Sequence, residues 1–265
     1  MGIGYLTIQS WSNYLQKNIR KKLFAMDVMV LGHNGMLGHM VRKYLLDKKY
    51  KVYTTDHRYP SEEFKNDVLN FKGDYVINCI GAIPQKTKSF EINFDLPIWL
   101  ENNANTCIVH PGTDCEMDED SYGVSKRSAK LYLIQHAKKT KIIKASIIGP
   151  ELKTYSSLLE WFLRSENEVQ GYSGAMWNGI TTYEWAKQCE VLINNWKDYD
   201  TETIVYSECI SKYDLLQCIK KVFDKDIIVT PNDKVNINKC LTGKIKAIDI
   251  FNQLSDLKNY YYDSK

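Results

Sequence analysis

Residues 27–46 read DVMVLGHNGMLGHMVRKYLL, and the order of their parts decides the fold. DVMVL is a short apolar run, Gly32, Gly35 and Gly38 follow at three-residue spacing, and from His39 the apolar residues recur at helical intervals. This is strand, glycine turn, helix. Glycines at those points permit a tight turn and a close backbone approach, so the free N–H groups and positive dipole end of the helix can face a pyrophosphate. The stretch predicts a dinucleotide site built from Gly32, Asn34, Gly35, Met36, Leu37 and Gly38.

Further strands are expected at KVYTTD (51–56), DYVINCIGA (74–82), TCIVHPGTD (106–114) and KIIKASIIG (141–149), with helical stretches between most of them. Apolar strands alternating with helices imply a parallel sheet covered on both faces, because parallel strands need crossover connections. The predicted class is α/β, a Rossmann-type doubly wound parallel sheet. After Gly149-Pro150 the composition turns to aromatics and polar loops, which reads as fewer strands, more helix and a smaller lobe packed on the sheet. The expected organisation is an N-terminal extension over 1–26, a dinucleotide-binding domain over 27–150 and a C-terminal substrate lobe over most of 151–265. The extension carries Lys17, Arg20, Lys21 and Lys22 without an acidic residue, and a targeting or membrane-surface peptide is the alternative reading of it.

Thirty-five basic against 32 acidic residues leave a net charge of only +3, which argues against nucleic acid as the main ligand, and no apolar run is long enough for a membrane span. Seven scattered cysteines without a C-x-x-C pair disfavour a disulfide framework or a zinc site and suit a reducing cytoplasm. No metal is expected.

Asp56 ends the second expected strand 24 residues after Gly32, where an acidic side chain would take the ribose hydroxyls of NAD(H); Arg58 would instead hold the 2′-phosphate of NADP(H). Tyr122-Gly-Val-Ser-Lys126 opens a helix and puts a phenol and an ammonium one turn apart. A phenol titrates near 10, so a neighbouring cation is needed to bring it toward neutrality, and Lys126 supplies one. Thr113 ends a strand at the edge facing the same crevice. His33 and His110 lack a partner at diagnostic spacing and read as structural, and the acidic run Glu116 to Asp120 reads as a solvated turn.

Taken in order, MVLGHNGMLG, VINCIGA, GTDC, YGVSK, ASIIGPEL, SLLEWFL and WNGITT resemble the extended short-chain dehydrogenases and, more narrowly, the dTDP-4-dehydrorhamnose reductase family. The resemblance spans roughly residues 27 to 245. It implies NADP(H), ahead of NAD(H), and reduction of a nucleotide-linked 4-keto-6-deoxysugar carrying dTDP or UDP. Tyr122 would protonate the carbonyl oxygen, Lys126 would lower the Tyr122 pKa and hold the nicotinamide ribose, and Thr113 would hydrogen-bond the carbonyl. Asp67 would lie near the adenine, Gly81 and Ala82 would line the cofactor trough, and Asp114, Trp177 and Asn178 would face the sugar. The other readings are a nucleotide-sugar epimerase or dehydratase of the same fold, and a non-catalytic NADP-binding regulatory subunit. A homodimer is compatible with either. Two departures stand out: only DCEMDEDS separates Thr113 from Tyr122, where relatives carry a longer loop, and Gly112 replaces a common serine.

Overall fold

A computed structural model describes residues 26–264, so the extension expected over 1–26 lies almost wholly outside the described residues. The first half of the chain alternates strand and helix: β1 (Asp27–Leu31), α1 (Met36–Asp47), β2 (Lys51–Tyr53), α2 (Glu62–Asn70), β3 (Tyr75–Asn78), α3 (Ile92–Asn103), β4 (Cys107–Gly112), α4 (Ser121–His136), β5 (Thr140–Lys144) and β6 (Ile147–Ile148). The second half adds α5 (Leu158–Arg164), β7 (Glu168–Trp177), β8 (Ile180–Thr181), α6 (Thr182–Asn194), β9 (Glu202–Tyr206), β10 (Ile210–Ser211), α7 (Lys212–Val222), β11 (Ile228–Asn238), β12 (Ile245–Lys246) and α8 (Ile250–Leu257).

Seven strands form the central sheet in the order β12-β9-β5-β4-β3-β1-β2, every neighbouring pair parallel. Successive side chains of β1 point to opposite faces. Val28 and Val30 pack with Val41 and Leu45 of α1 and Trp185 and Leu192 of α6, whereas Met29 and Leu31 pack with Phe64 and Val68 of α2 and Leu96 and Leu100 of α3. Both faces are therefore dry, which is why these strands read as unbroken apolar runs. This is the Rossmann-type doubly wound sheet. The strand order reverses between β1 and β3, the point at which such sheets open a crevice at the carboxyl edge.

A second core joins Phe162 of α5, Leu215, Leu216 and Ile219 of α7, Leu254 and Leu257 of α8, and Val169 and Trp177 of β7. Here β7 pairs antiparallel with β10 and parallel with β11, and β6 pairs with β8 in a separate two-stranded ribbon.

Three expectations need correction. The second half is not poorer in strands, since β7 to β12 match β1 to β6 in number. Nor does the sheet end at Pro150: β9 pairs with β5, β12 pairs with β9, and α6 covers the face that α1 shares, so the chain returns to complete the Rossmann-type unit. Finally, Cys209 and Cys240 form a disulfide. They stand 31 residues apart, but Ile210 pairs with Trp177 and the Lys239 N–H donates to the Met176 carbonyl, so both cysteines arrive at the end of β7. Cys79, Cys107, Cys115, Cys189 and Cys218 are free thiols. No helix among the described residues is long and apolar enough to cross a membrane.

Candidate functional site

At the carboxyl edge of the sheet lies a cleft of about 570 Å³ lined from both halves of the chain. Its floor begins at the glycine turn. Gly32 has a φ of +73°, in the left-handed region, and a Cβ on Gly38 would lie 2.1 Å from the Gly32 carbonyl oxygen. The turn and the start of α1 therefore touch backbone to backbone. Helix α1 has no side-chain cap and no acidic residue in its first turn, which leaves its N–H groups free for an anion. Gly35, Met36 and Leu37 line the cleft, whereas Gly32 and Gly38 shape the turn beneath it.

On the opposite wall the Thr113 hydroxyl donates to the Asp114 carboxylate at 3.1 Å and accepts from the Cys115 N–H at 3.3 Å. Thr113 caps a 3-10 turn, Asp114–Met117, in a reciprocal arrangement in which its own N–H donates to the Glu116 carboxylate at 3.1 Å. Asp120 caps α4 by accepting from the Gly123 N–H at 2.7 Å. Eight residues thus suffice to carry the chain from Thr113 to Tyr122. Both line the cleft with Asp114 and Lys126.

The Tyr122 phenol is pushed up by burial and by the neighbouring Cys115 and acidic groups, with a hydrogen bond to Thr113 pulling the other way. Lys126 is buried, donates to the Pro111 carbonyl at 3.0 Å, and is pushed down to about 8 by that burial, with Glu116 partly opposing. The expected electrostatic lowering of Tyr122 by Lys126 is not what these side chains show: the ammonium is spent on a carbonyl, and desolvation dominates the phenol. A phenol held protonated is a proton donor, the form a carbonyl reduction needs.

Gly81 and Ala82 line the cleft. The trough is fixed by buried Asn93, whose side chain accepts from the Ala82 N–H at 2.8 Å and donates to the Ala82 carbonyl at 3.0 Å and to Ser125 at 3.2 Å. Asp56 and Arg58 are exposed beyond β2, outside the cleft lining, and Asp56 meets His33 of the glycine turn at 3.4 Å. Asp67, on α2, accepts from Thr55 at 2.5 Å and from His57 at 2.9 Å, so it organises the loop after β2. Its carboxyl is held below the ordinary range by those two bonds. Asn34 does not line the cleft.

Trp177 lines the cleft, with its indole N–H donating to Ser146 at 2.7 Å. Asn178 does not: it is buried, its amide donates to the Leu241 carbonyl at 2.7 Å and accepts from the Leu241 N–H at 2.8 Å. It is a brace for the segment after β11 rather than a wall of the cleft. His110 is structural, buried and bonded to Asn78 at 3.2 Å, with its pKa driven well down by burial.

The acidic run is not a solvated turn throughout. Glu116 is 1% exposed and meets Lys144 at 2.7 Å and Lys130 at 3.2 Å. A Cβ on Gly112 would stand 3.0 Å from both the Glu116 carboxylate and Lys144 Cβ, so the glycine makes room for this buried pair. Sequence reading also missed Lys212 and Lys239, which reach the cleft from the second half. Lys212 lies 4.6 Å from the Trp177 ring and is pushed down to about 8 by burial. Both follow strand ends that only the fold brings to the site. Among the described residues no group of His, Cys, Asp and Glu could hold a metal ion.

A family model described as the NAD dependent epimerase/dehydratase family matches residues 28–95. Comparison with curated proteins finds no sequence match. Among solved structures, a dTDP-4-dehydrorhamnose reductase from Clostridium acetobutylicum is similar with a TM-score of 0.68 at 19% identity, covering 89% of this chain and 99% of that one. The Bacillus anthracis dTDP-4-dehydrorhamnose reductase in complex with NADP gives a TM-score of 0.73 at 13% identity, with coverage of 89% and 99%. A dTDP-glucose 4,6-dehydratase from the same organism in complex with NAD gives 0.68 at 13% identity, covering 90% and 97%. The chain has the fold of these dTDP-sugar reductases and dehydratases, and the stretch from β1 into the start of α3 is similar in sequence to the NAD dependent epimerase/dehydratase family.

Proposed function

We propose that this chain is a nicotinamide-dependent reductase of the keto group of a nucleotide-linked sugar, with a 4-keto-6-deoxyhexose on dTDP or UDP as the first substrates to try. The observation that carries the reading is the convergence of Thr113, Tyr122 and Lys126 on one cleft with the uncapped start of α1. The glycine turn and α1 fit a dinucleotide pyrophosphate, and a reduced nicotinamide would supply the hydride. NADP(H) and NAD(H) both suit the exposed Asp56 and Arg58, and each occurs in a solved structure of this fold.

In this reading the Tyr122 hydroxyl delivers a proton to the carbonyl oxygen as the carbon is reduced, and the Thr113 hydroxyl donates a hydrogen bond to the same oxygen after leaving Asp114. Lys126 holds the Pro111 carbonyl and presents its charge beneath the site. Trp177 forms the apolar wall for the sugar. The cofactor side belongs to the elements before Pro150 and the substrate side mainly to β7 and α7. A dehydratase would need a second acid beside Thr113, and Cys115 stands there after Asp114.

The test is a panel of nucleotide-linked keto sugars followed by the absorbance of NADPH and NADH. Tyr122→Phe should lower kcat at least about 100-fold, the range typical of a lost proton donor, while cofactor affinity measured by fluorescence titration stays within about twofold. Full activity in that variant overturns the mechanism.

A further inference from the structure

The turn between Thr113 and Tyr122 is held by its own caps and by Arg127, which donates to the carbonyls of Glu116 at 3.0 Å and Asp118 at 3.2 Å. One more tie comes from the far side of the cleft. Lys239, immediately after β11, donates to the Asp118 carboxylate at 2.6 Å and stands 3.8 Å from the Cys115 sulfur. Both charged side chains are roughly three-quarters buried, at 26% and 28% exposure. Screening by solvent is therefore weaker than at a surface pair, and the short charge-assisted contact is worth correspondingly more.

Lys239 is itself delivered by a frame. Its N–H donates to Met176 of β7 at 3.1 Å, its neighbour Cys240 is bonded to Cys209 just ahead of β10, and Leu241 is gripped twice by Asn178. Three strand ends of the second sheet thus aim one ammonium at the turn that runs into Tyr122.

We propose that Lys239 is a positioning residue that, by gripping Asp118, sets the Thr113–Tyr122 turn against the C-terminal sheet and so fixes the Tyr122 hydroxyl relative to a substrate seated on Trp177. The Cys209–Cys240 bond keeps the grip in place. This rests on the reductase reading for its kinetic consequence but not for its structural one. Misplacement of a catalytic group by about 1 Å costs as much as 100-fold in rate, whereas the glycine turn lies on the other wall and does not feel the grip.

The experiment uses the full-length chain and four forms: Lys239→Ala, Lys239→Arg, Asp118→Asn and the double Lys239→Ala/Asp118→Asn. Backbone hydrogen exchange of the peptide over 114–121 reads the grip directly, and kcat with the reducible keto sugar reads its consequence. Exchange should quicken about tenfold or more in Lys239→Ala and Asp118→Asn, no further in the double form, and stay near wild type in Lys239→Arg, because one shared contact is lost once. The kcat should fall about 10- to 100-fold in the first two, recover to within about threefold in Lys239→Arg, and leave cofactor affinity unchanged. Replacing both Cys209 and Cys240 by serine should give an intermediate quickening.

Unchanged exchange over 114–121 in Lys239→Ala, or losses that multiply in the double form, overturn the grip whether or not a sugar is found. Quickened exchange with unchanged kcat overturns the positioning role. A wild-type protein that reduces no keto sugar overturns the proposed function alone, and the exchange pattern still decides the grip.

Discussion

Tyr122 and Lys126 lie one helical turn apart, yet burial moves their protons in opposite directions. The phenol rises and keeps its proton, while the ammonium falls to about 8 and is ready to lose one. The sign follows from the group: desolvation disfavours the charged form, which is the deprotonated state of a phenol and the protonated state of an amine. The charged Lys126 therefore dominates below about pH 8 and is lost as pH rises through it. In the proposed mechanism that charge lies beneath the site, so kcat/KM for a keto sugar should fall on the alkaline side with an apparent midpoint near 8. Lys212 has a similar value but belongs to the Trp177 wall. A pH profile of Lys212→Gln should keep the alkaline limb, and one of Lys126→Met should lack it at a rate lowered about 100-fold or more.

The elements that carry the site were legible wherever local pattern and local cause coincide. DVMVL, the glycine turn and α1 follow from periodicity and glycine spacing, and Tyr122 and Lys126 follow from the helix that Asp120 caps. Strand β11 was not legible, because Pro231, Asn232 and Asp233 are residues that disfavour a strand; it survives by a register shift against β7 between Asn232 and Asn236. The ion pair from Lys239 to Asp118 spans 121 residues and leaves no local signature.

The chain's last turn, Lys258–Tyr262, was equally silent, though it is firmly tied. Tyr260 stacks on Tyr183 with centroids 4.3 Å apart and donates to Asp47 at 2.5 Å, and Tyr262 donates to Glu160 at 3.0 Å. A stacked pair of this kind is worth about 0.5–1.5 kcal/mol beyond its area. Removing residues from Lys258 onward should lower stability in a urea titration by about 2–4 kcal/mol, given that stacked pair and the two hydrogen bonds, with the cofactor turn intact.

At the scale of the molecule, the change of composition at Pro150 looks like a domain boundary and is not one. Trp185, Leu192 and Val205 all belong to the core that also holds Val28 and Ile143. A fragment ending at Pro150 would leave β5 as an open edge and that core half lined. It should show no cooperative transition on denaturation, whereas the full chain should unfold with one from both halves together.

The late return of β9 to β5 also has a meaning in time. A ribosome making about 5–20 residues per second releases β5 several seconds before the roughly sixty residues that bring its partner, so during each synthesis the nascent sheet waits with the N–H and C=O groups of one edge unpaired. The cleft, whose far wall arrives with Lys212 and Lys239, closes only after β9 has come back to β5.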